Sequence, residues 1–176
     1  MSDVEIRPTT PSDLDALAKV LVQVHTKDGY PVEGVDNPRS WLTLDSPIGQ
    51  WTALMEGDPV GHVALARPST SGAGAQIAAH ALVNPLHDLG VLSRLFVAPA
   101  ARRKSVAQML VEVVEDEALK GDWTLILDVM EKDLAAIGLY ESRGWQRIGK
   151  FNHAHSSGQS TPAIVMSAPH AAAWRD

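Results

Sequence analysis

The stretch VAPAARRKSVAQMLVE, residues 97–112, decides how this chain is read. Its second half opens a helix from Ser105 to Lys120. Val106, Met109, Leu110, Val113 and Val114 recur at helical spacing as one apolar stripe, and Glu112, Glu115, Asp116 and Glu117 fall on the other side. Gly121 stands where that helix would stop. The head of the helix has the wrong sign, because Arg102, Arg103 and Lys104 precede it. A helix N-terminus carries about half a positive charge and ordinarily recruits Asp or Glu. An anion held among the cations resolves the conflict, since the unpaired N–H groups of a first turn form a ready anion site. A diphosphate, with two charges and many acceptor oxygens, fits. Three solvated residues of a basic loop are the plain alternative.

Outward from this stretch the elements alternate. GVLSRLFV (90–97) before it reads as a strand, and TLILDV (124–129) after it as a continuous apolar strand covered on both faces. DLAAIGLYESRGW is a second helix closed by Gly144, and WQRIGKF and PAIVMSA are strands flanking a polar turn. Toward the N-terminus, Val4–Arg7 alternates as a strand. Thr10, Pro11 and Asp13 are start signals for a helix from Pro11 to about His25, with Leu14, Leu17, Leu21 and Val24 on one face. PRSWLTL is a short further helix. Trp51–Met55 and Val60–Ala66 form a hairpin around Gly57-Asp58-Pro59. Residues 69–90 read as an insertion or long loop, in which AQIAAHALV suits a short helix or a strand extension. The order β-α-α-β-β-β-α-β-α-β-β predicts an α/β fold: a single mixed, mostly antiparallel sheet of about seven strands with helices on both faces. Residues 1–176 are expected to form one domain.

Composition narrows the function. Of 176 residues, 45% are hydrophobic and 20% charged, the balance of a globular protein. The net charge of −6 argues against nucleic acid held by a basic surface field. Without cysteine there is no disulfide framework, thiol catalysis or thiolate metal site. No apolar run approaches the ~20 residues that span a bilayer, so no membrane is expected and the cytoplasm is the default compartment. His153 and His155, at strand spacing, would share a face and offer a metal two rings, but the ligand set is incomplete and no metal is expected.

Two blocks carry a resemblance. Leu95-Phe96-Val97-Ala98-Pro99 is followed by Arg102-Arg103-Lys104-Ser105-Val106-Ala107. Downstream come Leu127-Asp128-Val129, Asp133, Ala136, Leu139-Tyr140 and Gly144-Trp145. In order and separation they resemble the signatures of the GNAT superfamily of acyl-CoA N-acyltransferases, over most of the chain apart from 69–90 and the last residues. Ser105 stands where the family's loop has glycine, which lets backbone approach phosphate, and Asp133 where it has asparagine. Weakened cofactor binding is expected from the first.

The resemblance implies acetyl-CoA as acyl donor, with its arm along Leu95, Phe96 and Val97 and its diphosphate on Arg102, Arg103, Lys104, Ser105, Val106 and Ala107. Asp133 and Ala136 would lie beside the cofactor arm. It implies Tyr140 as the acid that protonates the departing thiolate, against the alternative of a packing aromatic. Asp128 matches a base position of some relatives, against the alternative of an acid at a solvated strand end. Ser93 and Arg94 stand where many relatives place a carboxylate. His25, Asp28 and Tyr30 fall where relatives line the acceptor pocket, and equally suit a polar loop. The acceptor would be an amine of a small molecule or protein, and a homodimer is compatible with the family. A catalytically idle acyl-CoA sensor or scaffold and a nucleotide-binding domain of another kind are the rivals. The loop lacks the glycine spacing of either nucleotide fingerprint.

Overall fold

The structure, a computed structural model, describes residues 3–44, 47–68, 89–155 and 157–169. In chain order its elements are β1 (Val4–Pro8), a 3-10 turn (Pro11–Asp13), α1 (Leu14–Asp28), α2 (Pro38–Trp41), β2 (Pro47–Met55) and β3 (Asp58–Ala66). There follow β4 (Leu89–Val97), a 3-10 turn (Pro99–Ala101), α3 (Val106–Gly121), β5 (Thr124–Met130), α4 (Leu134–Ser142), β6 (Gln146–Ala154) and β7 (Ser160–Ser167). The strands form one seven-stranded sheet in the order β1-β2-β3-β4-β5-β7-β6. It is mixed: β1–β2, β2–β3, β5–β7 and β6–β7 run antiparallel, and Leu89–Val91 of β4 runs parallel to Thr124–Ile126 of β5. The chain falls into two compact units, one of Met1–Ala66 with Ser93–Val114 and one of Arg67–Leu92 with Glu115–Asp176. The division passes within β4 and within α3.

In the first unit, α1 buries Leu17, Val20, Leu21 and Val24. Three of these are in the stripe the sequence predicts, while Leu14, at the first turn, is only half-buried and Val20 takes its place in the core. Leu17 and Leu21 are fully buried, each burial contributing about 2 kcal/mol. The helix starts through a 3-10 turn and runs to Asp28, three residues past the expected His25. Gly29, at φ 71°, ends it by donating its N–H to the His25 carbonyl at 2.8 Å. The β2–β3 hairpin turns on Glu56 and Gly57, at φ 53° and 87°, with Met55 facing Asp58. Two left-handed residues make the twist-matched hairpin turn, so the strand resumes at Asp58 rather than at Val60.

In the second unit, Leu89, Val91, Ile126 and Val165 form a cluster with Ile148 and Phe151 packed on it. Leu89 and Gly90 belong to β4, which shortens the expected insertion; its remainder lies outside the described residues. α3 ends differently from expectation. Asp122, at φ 56°, is the left-handed stop: its N–H reaches the Leu119 carbonyl at 3.3 Å, and Trp123 N–H reaches Ala118 at 2.9 Å. Gly121 serves the packing instead, since a Cβ there would lie 2.8 Å from the Trp123 ring. Gly144 closes α4 as expected, at φ 87°, with Trp145 N–H on the Tyr140 carbonyl at 3.0 Å.

Candidate functional site

The head of α3 begins where β4 ends. Ala98 N–H donates to the Val60 carbonyl at 2.7 Å, and the Pro99–Ala101 turn carries the chain to Arg102. Two residues then take left-handed backbone, Arg103 at φ 63° and Ser105 at φ 62°, before the Met109 N–H closes on the Ser105 carbonyl at 3.0 Å. For residues with a Cβ that conformation costs about 1 kcal/mol each. Such outliers persist where the surroundings impose them and cluster at functional sites. Arg103, Lys104 and Ser105 are exposed, Val106 is buried, and the first turn of α3 holds no acid. The cations do not act as one group: Arg102 is paired with Asp28 at the end of α1. Asp28 therefore partners the basic loop, and His25 Nδ1 lies 3.1 Å from the Pro31 carbonyl.

Phe96 and Val97 are buried and Leu95 half-buried. The preceding residue, Arg94, has φ 52° in the middle of β4. Its Nε donates to the Trp41 carbonyl at 2.7 Å, and its guanidinium stands 5.0 Å from the Trp41 ring centroid. Its carbonyl lies 2.9 Å from Nδ1 of His62, a fully buried side chain of β3. The His62 ring stacks on Phe96 at 5.4 Å, Trp41 leans on Phe96 at 6.2 Å, and Tyr30 meets Trp41 edge-on at 5.9 Å. Gly61 lets the strands close up, since a Cβ there would sit 3.1 Å from the Phe96 carbonyl oxygen. Burial pushes the His62 pKa down to about 4, so the ring is neutral at ordinary pH. Beside this cluster, the Ser93 hydroxyl is buried without a hydrogen-bond partner. Sequence reasoning passed over His62. The signal was present as a histidine inside the apolar run PVGHVALA, next to a glycine.

The second unit gathers Tyr140, Asp128, Asp133 and Ala136. Tyr140 is 4% exposed, and its ring lies 5.4 Å from that of Trp145. Trp145 Nε1 donates to Glu115 at 2.9 Å, and Arg143 grips the same carboxylate at 2.5 Å. Burial raises the Tyr140 pKa far above the ordinary phenol range, and the charges of Asp128 and Asp133 raise it further. The phenol thus keeps its proton at any working pH. Asp128 is half-buried in β5 opposite Val165, and Asp133 caps α4 with its carbonyl accepting from Ile137 N–H at 3.0 Å. His153 and His155 do share a face, with rings 6.2 Å apart. His155 Nε2 is engaged with Thr161 at 2.8 Å, and no group of three metal-capable side chains occurs among the described residues. A cavity of about 400 Å³, lined by Glu115, Leu119, Trp123, Arg143, Gly144 and Pro169 among others, takes in none of the predicted site residues.

Residues 15–145 match the acetyltransferase (GNAT) family. No curated protein matches the chain in sequence. Among solved structures, the ribosomal-protein-S18-alanine N-acetyltransferase of Escherichia coli is similar at TM-score 0.69 and 20% identity, covering 95% of this chain and 94% of that one. An N-acetyltransferase from Staphylococcus aureus Mu50 is similar at TM-score 0.70 and 15% identity, over 94% and 98% of the two chains. The yncA protein of Salmonella typhimurium, solved with its cofactor acetyl-CoA, is similar at TM-score 0.66 and 15% identity, over 93% and 92%. At these identities the likeness is one of fold.

Proposed function

Because this chain belongs to the acetyltransferase (GNAT) family, we propose that it transfers an acetyl group from acetyl-CoA to an amine of a small molecule or protein, as one domain over residues 1–176, in the cytoplasm. The observation that carries the reading is the backbone at Ser105. Where the family's loop has glycine, this chain holds a serine at φ 62°, a backbone conformation that glycine adopts most readily. No helix among the described residues is long and apolar enough to cross a membrane.

When bound, the cosubstrate supplies an activated acyl thioester. Arg103, Lys104 and the first N–H groups of α3, through Val106 and Ala107, hold its diphosphate, while Arg102 steadies the loop through Asp28. Backbone groups of Leu95, Phe96 and Val97 pair with the arm, and a β4 N–H near Val97 stabilises negative charge on the acyl oxygen. Ala136 leaves room beside the arm. Asp133 can accept a hydrogen bond there but not donate one as an amide would, and weaker cofactor contact follows. Asp128 takes the proton of the acceptor amine. Tyr140 donates a hydrogen bond from its hydroxyl to the departing sulfur. Its raised pKa makes full proton transfer to a thiolate of ordinary pKa about 8.5 uphill, so the hydrogen bond carries more of the effect than the proton.

Ser105 in the loop, and Ser93 and Arg94 where many relatives place a carboxylate, favour as a second reading an acyl-CoA binder without turnover. Release of CoA across a panel of amines tests both. Tyr140→Phe should lower kcat about a hundredfold while changing acetyl-CoA affinity less than about threefold. A kinetically silent Tyr140→Phe would remove Tyr140 as donor to the departing sulfur, and tight acetyl-CoA binding with no turnover on any amine would leave the binder.

A further inference from the structure

The left-handed residue in β4 is the least expected backbone among the described residues. Arg94 carries a long side chain, sits in mid-strand and still has φ 52°. Such a residue stays put only where its surroundings over-determine it. Its side chain is held twice by Trp41, through the carbonyl and through the ring face. The peptide group that follows is held by the His62 side chain.

A carbonyl oxygen can only accept, so His62 Nδ1 must carry the proton in the 2.9 Å contact with Arg94. The ring is buried and neutral, which leaves Nε2 with a lone pair. Gln50 Oε1 stands 3.1 Å from that atom, and since two acceptors cannot bond, the Gln50 amide must rotate by half a turn to offer its nitrogen. The Arg94 carbonyl alone thus sets the tautomer, and the Gln50 amide follows it. The ring also lies flat against Phe96, at an interplanar angle of 27°. Together with Ala98 N–H on the Val60 carbonyl, β3 grips β4 on both sides of Leu95 and Val97.

We propose that His62 is a positioning residue for the acyl-donor arm: by donating Nδ1–H to the Arg94 carbonyl it locks the left-handed kink of β4, and the kink aims the backbone groups of Leu95–Val97 that pair with the arm. This rests on the acetyl-CoA reading above. A histidine that merely filled the core could be replaced by any side chain of similar volume, whereas this role needs a donor at one ring position. Leucine fills the space without a donor. Asparagine places an N–H where Nδ1–H stands.

The experiment is calorimetric titration of wild type, His62→Leu and His62→Asn with acetyl-CoA and with 3′-phospho-ADP, which has the diphosphate and no pantetheine arm. His62→Leu is expected to lose about tenfold in acetyl-CoA affinity with 3′-phospho-ADP unchanged, and His62→Asn to recover most of the loss. Equal loss for both ligands would mark a structural role only and overturn the proposal, as would wild-type acetyl-CoA affinity in His62→Leu. Wild type that bound neither ligand would instead bring down the acetyl-CoA reading itself. A measurement that needs no variant stands beside these: ¹⁵N NMR of the wild-type ring should show the proton on Nδ1. A proton on Nε2 would leave the Arg94 carbonyl without its donor and overturn the proposal.

Discussion

The heads of α1 and α3 face the same physical problem, a first turn of unpaired N–H groups at a positive dipole end, and solve it in opposite ways. At α1 the chain supplies its own anion. Asp13 accepts from Thr10 N–H at 2.8 Å and from the two terminal guanidinium nitrogens of Arg7, at 2.7 and 2.9 Å. It is 4% exposed. At α3 the chain supplies cations, no acid in the first turn, and two left-handed residues in the open. One head is closed for stability. The other keeps its electrostatic demand unmet by the first turn, which is the arrangement a diphosphate would complete.

The largest expected effect comes from opening the closed head. Asp13→Asn should cost about 3 kcal/mol in chemical denaturation. The figure is at the low end for a buried pair because the Arg7 side chain is 33% exposed and can rehydrate. The pH dependence follows from sign. Hydrogen bonding to Arg7, then to Thr10, holds the Asp13 carboxyl well below the usual carboxylate range. An unfolded chain binds a proton there near pH 4 and the native chain does not, so this stability is present above about pH 4 and is lost as pH falls further. His62, pushed down to about 4 by burial, acts in a higher window. Its contribution is full above pH ~6.5 and falls by about 1.4 kcal/mol per pH unit between there and pH 4. Asp13→Asn should therefore flatten the stability curve below pH 4 and leave the slope between 6.5 and 4 intact. A change confined to the upper window would reverse the two assignments.

The same contrast explains what could be read from sequence. The closed head was legible because its parts are local: Thr10, Pro11 and Asp13 announce a start by type and spacing alone. The charge anomaly at Arg102–Lys104 was equally local. Its geometry was not, since nothing in an arginine or a serine declares positive φ, and the partner of Arg102 is Asp28, far back along the chain. The seven strands were legible from alternation and apolar runs, whereas their ends were not. β2 begins at Pro47 and β3 at Asp58, because hairpin pairing extends strands beyond the residues whose burial marks them. The Gly121 stop misled for a similar reason: the glycine answers to the Trp123 ring and Asp122 makes the turn. His62 and Arg94 meet only through the fold.

A middle-sized effect tests the open head. Arg103→Glu leaves the left-handed backbone cost unchanged, because both residues carry a Cβ, and puts an acid near the helix start. Folding stability should rise by about 0.5 kcal/mol, while acetyl-CoA affinity, measured by calorimetry, should fall about tenfold or more as a cation beside the diphosphate becomes an anion. Opposite signs in the two measurements are the mark of a head kept open for a ligand. A stability gain with unaltered affinity would make these cations a solvated loop.

The smallest effect is the most discriminating. Ser105→Gly removes a Cβ from a backbone at φ 62°, relieving about 1 kcal/mol of strain, and gives back part of it by loosening the unfolded chain. A net gain of about 0.5 kcal/mol is expected. For acetyl-CoA the substitution has two opposed consequences: backbone can approach the phosphates more closely, and a hydroxyl that could donate to them is lost. Ser105→Ala keeps the strained Cβ and loses the same hydroxyl, so the pair separates the terms. If close approach dominates, affinity rises about threefold in the glycine variant and stays level in the alanine one. If the hydroxyl has taken over the glycine's task, both variants lose affinity together, and the departure from the family's loop is a substitution of one phosphate contact for another.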